Sequence, residues 1–314
     1  MSDPHDEFSF LAEQASQVGI SGPIPTARRL NLTLHDGRVI SGIRYGDQPP
    51  QITLLHGAGL NAHTWDTTIL AMEVPALAID LPGHGDSSWR EDANYQPRVL
   101  APDIASALDV WTDGPQILLG HSLGGMVAAA VAAHRRDLVA ELILLDITPG
   151  ISREGGPKQL AAFFAGTTSW ASRAELVDRA VSFGLGGTRA AAERGVFHNS
   201  RIRADGRVEW KHHFAHLAAA AWGNGTGDDT ALSAALNQGG WEDLATVATG
   251  TSTSTGITLI RASRGYVTEE DATVFSERLP GASIEVMETG HNIQEDDPIT
   301  LGKYLSRIAQ LGKG

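Results

Sequence analysis

Six short, mostly apolar runs separated by stretches of helical periodicity constrain the fold of this chain most strongly. The runs are residues 52–55, 76–79, 117–119, 142–145, 257–260 and 284–287. Runs of this kind suit strands that are buried on both faces of a sheet, because a half-exposed strand alternates apolar and polar residues. Residues 99–111 and 123–136 show the helical pattern between the runs. The alternation predicts an α/β fold whose mostly parallel sheet has helices on both faces.

The alternation of strands and helices stops after Pro149, and this break predicts how the chain is divided. Residues 1–28 are polar and irregular and are predicted to be an N-terminal extension. Residues 29–148 and 238–314 are predicted to form the two parts of one core domain. Between them, residues 149–237 contain Ala-rich and Arg-rich helical segments with several tryptophans and no clear buried strand. The simplest interpretation is a helical cap inserted into the sheet domain.

The composition excludes several classes of protein. Apolar residues make up 42% of the chain and charged residues 19%, which is typical of a globular fold and not of global disorder. The net charge of −13 argues against binding to nucleic acid or to an anionic membrane surface, because both need clustered cations. We therefore expect neither of them among the partners of this protein.

The absence of cysteine excludes disulfide bonds, thiolate catalysis and zinc sites with cysteine ligands. The acidic N-terminus lacks the basic and apolar regions of a secretory signal. No stretch of about 18 apolar residues is present that could span a membrane. These features predict a cytoplasmic protein without a membrane span. The sequence does not specify the oligomeric state and allows a homodimer.

The sequence GHSLGG at residues 120–125 is the most informative motif in the chain. It places Ser122 between an apolar run and an Ala-rich helical segment, which is the context of a nucleophile elbow. The small residues Gly120 and Gly124 allow a tight strand-to-helix turn to pack against neighbouring backbone. Such a turn exposes the serine hydroxyl beside a helix N-terminus, whose free N–H groups favour a developing negative charge.

Three further motifs accompany this elbow. They are HGAG at residues 56–59, DLPGHGDS at residues 80–87 and Gly-His at residues 290–291. With these four motifs in this order, the sequence resembles the α/β-hydrolase superfamily over residues 31–148 and from residue 241 to the end. The resemblance implies an α/β-hydrolase fold with a mostly parallel eight-stranded sheet, flanking helices and a helical cap. It also implies a serine nucleophile that works without a cofactor or a metal ion.

The resemblance assigns roles to individual residues. It implies that Ser122 is the nucleophile, and that His291 accepts the serine proton and later returns it to the leaving group. The backbone N–H groups of Leu123 and Ala58 are implied to form the oxyanion hole. A serine nucleophile argues against the epoxide hydrolases and haloalkane dehalogenases of the superfamily, because those enzymes use a carboxylate.

The acid of the triad departs from the common pattern of the superfamily. The position that usually holds an aspartate is occupied by Gly265, and no carboxylate follows before Glu269. Asp146 directly follows the apolar run at residues 142–145, and some members of the superfamily place the acid there. Asp146 is therefore the favoured prediction. Two alternatives stay open. The protein could lack a functional acid, or the acid could lie in the predicted helix that follows, where the candidates are Glu269, Glu270 and Asp271.

The predicted cap carries an excess of positive charge in a chain that is acidic overall. Residues 153–211 contain ten Lys and Arg and six Asp and Glu, a net charge of +4. The excess could steer a carboxylate-bearing substrate, or it could be an ordinary solvated helix surface. Five residues are candidates for substrate contacts, with a structural role as the alternative: His121, Trp170, Trp222, His212 and His216. The last two share a helix face but lack the glutamate of an HExxH motif, so no metal site is predicted.

Together these residues predict an enzyme that acts on a small-molecule substrate. The leading hypothesis is a serine hydrolase that cleaves an ester, a lactone, an amide or a C–C bond next to a carbonyl through an acyl-enzyme. One alternative is a cofactor-free oxygenase of the same fold, in which the His–Asp pair is the base. A second alternative is a ligand-binding receptor built on the hydrolase fold.

Overall fold

The computed structural model describes residues 6–151, 167–183, 186–223, 239–250 and 255–311, and this part of the chain contains two sheets. The larger sheet has eight strands, which are β1 (Ala27–Thr33), β2 (Val39–Tyr45), β3 (Ile52–Leu55), β4 (Ala76–Asp80), β5 (Gln116–His121), β6 (Val139–Leu145), β10 (Gly256–Arg264) and β11 (Ser283–Gly290). The smaller sheet has three strands, which are β7 (Ser169–Trp170), β8 (Ser200–Ile202) and β9 (Val208–Trp210).

The eight strands of the larger sheet lie in the order β1-β2-β4-β3-β5-β6-β10-β11. Neighbouring strands from β4 to β11 run parallel, whereas β2 pairs antiparallel with both β1 and β4. The six apolar runs of the sequence lie in β3, β4, β5, β6, β10 and β11. These strands confirm the predicted α/β fold with a mostly parallel eight-stranded sheet.

Helices connect the strands and cover both faces of the sheet. They are α1 (Leu11–Gln17), α2 (Asp66–Met72), α3 (Pro97–Trp111), α4 (Leu123–His134), α5 (Arg173–Ser182), α6 (Arg189–Asn199), α7 (His213–Gly223), α8 (Gly240–Ala248), α9 (Glu269–Arg278), α10 (Ile293–Asp296) and α11 (Pro298–Leu311). Short 3-10 helices span Ala62–Trp65 and Arg136–Leu138. Within the described ranges, no helix has both the length and the apolar character needed to cross a lipid bilayer.

Alternate side chains of the central strands enter two separate apolar cores. In β6, Leu142 and Leu144 pack in the core that α3 and α4 cover. Ile143 and Leu145 pack in the opposite core, which α1, α2 and α11 cover. All four side chains are fully buried. Burial on both faces explains why these strands appear as apolar runs and not as an alternating pattern.

The N-terminal segment is only partly irregular, and the prediction of an irregular extension over residues 1–28 is wrong for residues 11–17. These residues form α1, whose Leu11 and Ala15 are buried in the core beside α2. A seven-residue helix that buries so few apolar side chains is too short for its periodicity to stand out in the sequence. Strand β1 also begins at Ala27, slightly before the predicted boundary.

Residues 167–183 and 186–223 carry an apolar core of their own, and we call these residues the cap. The core contains Trp170, Leu176 and Trp210, supplied by strands and helices alike. The sequence predicted helices without strands here, and the small sheet with the order β7-β9-β8 corrects that prediction. Strands of two or three residues are too short to produce a readable pattern. The remainder of the predicted cap insertion lies almost entirely outside the described residues.

The cap contacts the two loops that follow β3 and β4. In the first loop, Asn61 Nδ2 donates a hydrogen bond of 2.7 Å to Asn199 Oδ1, at the end of α6. In the second loop, Trp89 Nε1 donates a hydrogen bond of 2.6 Å to the carbonyl oxygen of Lys211. The ammonium group of Lys211 forms an ion pair of 2.8 Å with Asp86. The same two loops carry the HGAG and DLPGHGDS motifs, so the cap rests on the motif loops.

Candidate active site

Ser122 occupies a strained turn between β5 and α4. Its backbone angles are φ 51° and ψ −119°, a conformation that costs a residue with a side chain about 1–3 kcal/mol. A Cβ atom at Gly120 would lie 2.2 Å from the Gly124 carbonyl oxygen, and one at Gly124 would lie 2.4 Å from the Leu55 carbonyl oxygen. The turn therefore needs both glycines, and it holds Ser122 partly exposed at the carboxyl edge of the sheet.

The HGAG turn lies beside this serine. A Cβ atom at Gly57 would come within 3.3 Å of the Ser122 Cβ atom, so Ala58 follows a residue that directly contacts the elbow. His56 holds the turn, because its Nε2 accepts a hydrogen bond from the Leu81 N–H at 3.0 Å and its Nδ1 donates to the Gly57 carbonyl at 2.8 Å. Burial lowers the pKa of His56 to about 4, so the ring stays neutral and keeps both bonds at neutral pH.

Helix α4 begins directly after Ser122, and the N–H groups of Gly125 and Met126 in its first turn donate to the Ser122 carbonyl. Leu123 is the first residue of this helix, and the first N–H groups of a helix have no acceptor within the helix. The positive end of the helix dipole points toward the same position. Leu123 directly follows the serine, and Ala58 follows Gly57, which lies beside it. An oxyanion hole formed by their N–H groups stays a prediction.

Asp146 lies against His291. The Nδ1–H of His291 donates a hydrogen bond of 2.7 Å to Asp146 Oδ2, and a carboxylate that only accepts fixes this tautomer. The side chain of Asp146 is completely buried. It also accepts hydrogen bonds from the backbone N–H groups of Ala262 at 3.0 Å and Tyr266 at 2.7 Å. These bonds fix the orientation of the carboxylate toward the imidazole.

Gly265 leaves the space that the Asp146 carboxylate fills. A Cβ atom at position 265 would lie only 2.1 Å from Asp146 Oδ2. The usual acid position of the superfamily is therefore blocked here by the acid of the neighbouring strand. The alternative candidates form the first turn of α9, where Glu269 and Glu270 are exposed and Asp271 caps the helix by bonding Thr268. The structure thus brings Asp146, and none of these acids, to His291.

Two aromatic rings contact the imidazole of His291. The ring of Tyr266 stacks on it with 3.6 Å between centroids and 10° between planes. The ring of His121 lies 4.5 Å away at 46°. The sequence did not single out Tyr266, and its one signal was its place directly after the substituted acid position.

His121 supports the histidine loop and is not presented to solvent. Its Nε2–H donates a hydrogen bond of 3.1 Å to the backbone carbonyl of His291. Burial, followed by the proximity of His291, lowers the pKa of His121 well below its usual value, so the ring is neutral. With a side chain that is 2% exposed, this predicted substrate contact is placed behind the site.

The predicted substrate contacts in the cap pack inside the cap or against the core. Trp170 is buried and meets Trp210 edge-to-face at 5.8 Å. His212 is fully buried, and its ring stacks on Trp210 at 5.6 Å and on His84 of the DLPGHGDS loop at 6.0 Å. His216 lies against Trp89 at 4.8 Å. Trp222, the last candidate, lies in α7, and its side chain is outside the described part of the chain.

Several arginines of the cap pair with acids of the cap. Arg189 forms an ion pair of 2.9 Å with Asp178, and Arg201 forms one of 2.8 Å with Glu209. The side chains of these two arginines are about half exposed, at 56% and 49%. This arrangement favours the interpretation of a solvated helix surface over that of a cationic lid.

One group of potential metal ligands lies within 4.8 Å in the described residues, and it consists of His63, Asp66 and His198. The rings of the two histidines stack at 3.8 Å and 19°. His63 bonds Asp66 at 3.1 Å and Glu7 at 3.1 Å, and the Tyr45 hydroxyl bonds the other oxygen of Asp66. The geometry is that of a hydrogen-bonded network.

Comparison with known proteins identifies the family. The family model described as "Alpha/beta hydrolase family" matches residues 54–301, which is most of the chain. The chain belongs to the α/β-hydrolase family. It is therefore an enzyme of the hydrolase class.

The esterase Rv0045c of Mycobacterium tuberculosis is a relative along nearly the whole chain. The two are 35% identical over 305 residues, which cover 94% of this chain and 93% of the relative. A solved structure of that esterase superposes with a TM-score of 0.80 and 34% identity, covering 98% of this chain and all of the other. The pimeloyl-[acyl-carrier protein] methyl ester esterase of Neisseria meningitidis is 40% identical over 103 residues, which cover 31% of this chain and 36% of that relative.

A more distant structure shares the fold alone. The E-2-(acetamidomethylene)succinate hydrolase superposes with a TM-score of 0.70 and 18% identity, over 92% of this chain and all of that one. The fold is thus common to enzymes that are named for different substrates. Function has to be argued from the site of this chain.

Proposed function

We propose that this protein is a serine esterase in which Ser122, His291 and Asp146 form the catalytic triad. The observation that carries the proposal is the bond of 2.7 Å from His291 Nδ1–H to the buried Asp146 carboxylate. Ser122, held at a strained elbow, directly follows His121, whose ring lies 4.5 Å from that of His291. With the Nδ1 proton engaged, the Nε2 lone pair of His291 is free to accept the serine proton.

The proposed reaction proceeds through an acyl-enzyme. Ser122 Oγ attacks the ester carbonyl as His291 takes its proton, and the N–H groups of Ala58 and Leu123 hold the oxyanion. Collapse of the tetrahedral intermediate expels an alkoxide, which the imidazolium of His291 protonates. A water molecule then repeats the sequence on the acyl group and restores the serine. None of these steps calls on a cofactor or a metal ion.

The preference for a carboxylic ester over a lactone, an amide or a C–C bond is supported by the relatives. The relative that spans nearly the whole chain is named an esterase, and a second relative is named for a methyl ester. The substrate is proposed to be a small organic ester. The pairing of Arg189 and Arg201 within the cap gives no support for a carboxylate on that ester.

The proposal is tested with aryl esters of short acyl chains and a fluorophosphonate probe. We expect the wild type to release p-nitrophenol and to be labelled once, at Ser122. Ser122→Ala is expected to abolish labelling and to lower kcat by at least about 10⁴-fold. Ser276→Ala, which changes an exposed serine of α9, is the matched control and should keep both.

Two results would contradict the proposal. Ester turnover by Ser122→Ala at the wild-type rate would remove the nucleophile from the mechanism. Oxygen consumption by wild type and Ser122→Ala alike, without ester cleavage, would instead support an oxygenase in which the His–Asp pair acts as the base. Parallel assays with lactones and N-acyl compounds would show whether an ester is the preferred substrate.

A further inference from the structure

Tyr266 makes two contacts with the proposed catalytic pair. Its ring lies on the imidazole of His291 at 3.6 Å and 10°, and its backbone N–H donates to Asp146 Oδ2 at 2.7 Å. Because Gly265 has no side chain, the backbone passes close to the Asp146 carboxylate, and Tyr266, the next residue, reaches the imidazole. Tyr266 is half-buried, so its position is set by this packing and not by deep burial in the core.

We propose that Tyr266 is a positioning residue whose ring face stabilises the positively charged form of His291. The inference rests on the proposed function, in which His291 is neutral before serine attack and an imidazolium in the transition state. The face of an aromatic ring carries negative charge density and attracts a cation stacked on it. An interaction that appears only with the charge lowers the barrier without tightening substrate binding.

The contact acts through the ring and not through the hydroxyl. The two rings are nearly parallel, so the π face of Tyr266 meets the imidazole over its whole area. Burial and the negative charge of Asp146 raise the pKa of Tyr266, so its hydroxyl stays uncharged at neutral pH. Stacking also restricts rotation of the His291 ring, whose Nδ1–H is bonded to Asp146.

Three other titratable side chains face His291 or its loop, and each has a contact of its own. Asp146 is bonded to Nδ1 and is the counter-charge of the imidazolium. His121 is neutral, so its ring adds no repulsion. Asp296 accepts the N–H of Gly290 at 2.7 Å and faces the backbone. Within the described ranges, Tyr266 is the one ring that stacks on the flat face of His291, so removal of the ring removes that contact.

The test measures kcat, KM and the pH–rate profile of Tyr266→Leu and Tyr266→Phe with an aryl ester. For Tyr266→Leu we expect kcat to fall about fivefold to tenfold, with KM within about twofold of wild type. The midpoint of the acid limb of kcat/KM should move to lower pH by about 0.5–1 unit, because the imidazolium has lost a stabilising contact. Tyr266→Phe, which keeps the ring, should match wild type in all three.

Tyr304→Leu is the control for loss of a half-buried tyrosine, since Tyr304 lies on α11 away from the site. Thermal unfolding is measured for each variant, and Tyr266→Trp replaces Tyr266→Phe as the ring-preserving variant if the latter does not fold. Equal loss of activity in Tyr266→Phe and Tyr266→Leu would overturn the inference, as the hydroxyl would then be responsible.

A rise in KM with unchanged kcat in Tyr266→Leu would make the residue a substrate wall and would equally overturn the inference. An unshifted acid limb would do the same. Failure of the proposed function is recognised separately, because Ser122→Ala would then retain ester turnover. If Ser122→Ala is inactive and Tyr266→Leu behaves as wild type, only the role of Tyr266 is refuted.

Discussion

Substitution of Gly265 by alanine should disable the site by displacing the acid. The new Cβ atom would lie 2.1 Å from Asp146 Oδ2, whereas an ordinary contact begins near 3.4 Å. The carboxylate would have to retreat by more than about 1 Å, beyond the reach of the 2.7 Å bond to His291. A misplacement of this size costs about 10²-fold in rate, and the crowding costs about 1–3 kcal/mol of stability.

The assay compares Gly265→Ala with Gly281→Ala in ester hydrolysis and urea unfolding. A Cβ atom at Gly281 meets nothing within 4 Å, so this control should keep wild-type kcat. The fall in kcat for Gly265→Ala should persist at temperatures well below its unfolding transition, which separates displacement of the acid from unfolding. Full activity of a folded Gly265→Ala protein would refute the reasoning.

A double variant extends the same argument to the location of the acid. Asp146→Ala removes the carboxylate and also the obstacle at position 265. Gly265→Asp in that background should place an acid at the position that the superfamily commonly uses. We expect the double variant to exceed Asp146→Ala in kcat by about tenfold or more. Equal activity of the two would show that the space at position 265 does not lead to His291.

Three further outcomes are expected. Asp146→Asn should lower kcat by about 10⁴-fold at neutral pH, since an amide no longer fixes the His291 tautomer, and steady-state hydrolysis with thermal unfolding checks this. Ser122→Gly should be more stable than Ser122→Ala by about 1 kcal/mol in urea unfolding, because glycine adopts φ 51° without strain. Burial lowers the pKa of His63, but Asp66 and Glu7 outweigh it and raise the pKa to about 9. Its contribution to stability, on the order of 3 kcal/mol, should be complete below about pH 6.5 and disappear as the pH rises through 9. The free energy of unfolding of wild type and His63→Gln, measured across this pH range, tests the effect. Parallel dependences of that free energy on pH in the two proteins would contradict it.

The larger sheet was predictable because its central strands are buried on both faces. Ile143 and Leu144 face opposite cores, so consecutive residues of β6 from 142 to 145 are apolar and the run was visible in the sequence. The resemblance to the superfamily also pointed to Asp146, because this residue directly follows the apolar run at residues 142–145, where some members place the acid. The structure places that residue against His291.

Other features depend on contacts between distant segments and left little trace in the sequence. The stacking of Tyr266 on His291 joins residues 25 positions apart, and no local pattern encodes it. His212 and Trp170 had the chemistry of pocket residues, but packing with Trp210 decided their place. Residue type alone does not distinguish an aromatic side chain that lines a pocket from one that fills a small core.

The seating of the cap has a consequence for engineering this enzyme. Asn199 and Lys211 are attached to the loops after β3 and β4, at Asn61 and Trp89, and the first of these loops also holds Ala58. A tilt of the cap that admits a bulkier molecule is therefore expected to shift the loop that holds Ala58, the proposed oxyanion donor. If the cap of a relative were transplanted onto this protein, residues 61–63 and 86–89 would have to be exchanged with it. The contacts between the cap and the two motif loops would otherwise be lost.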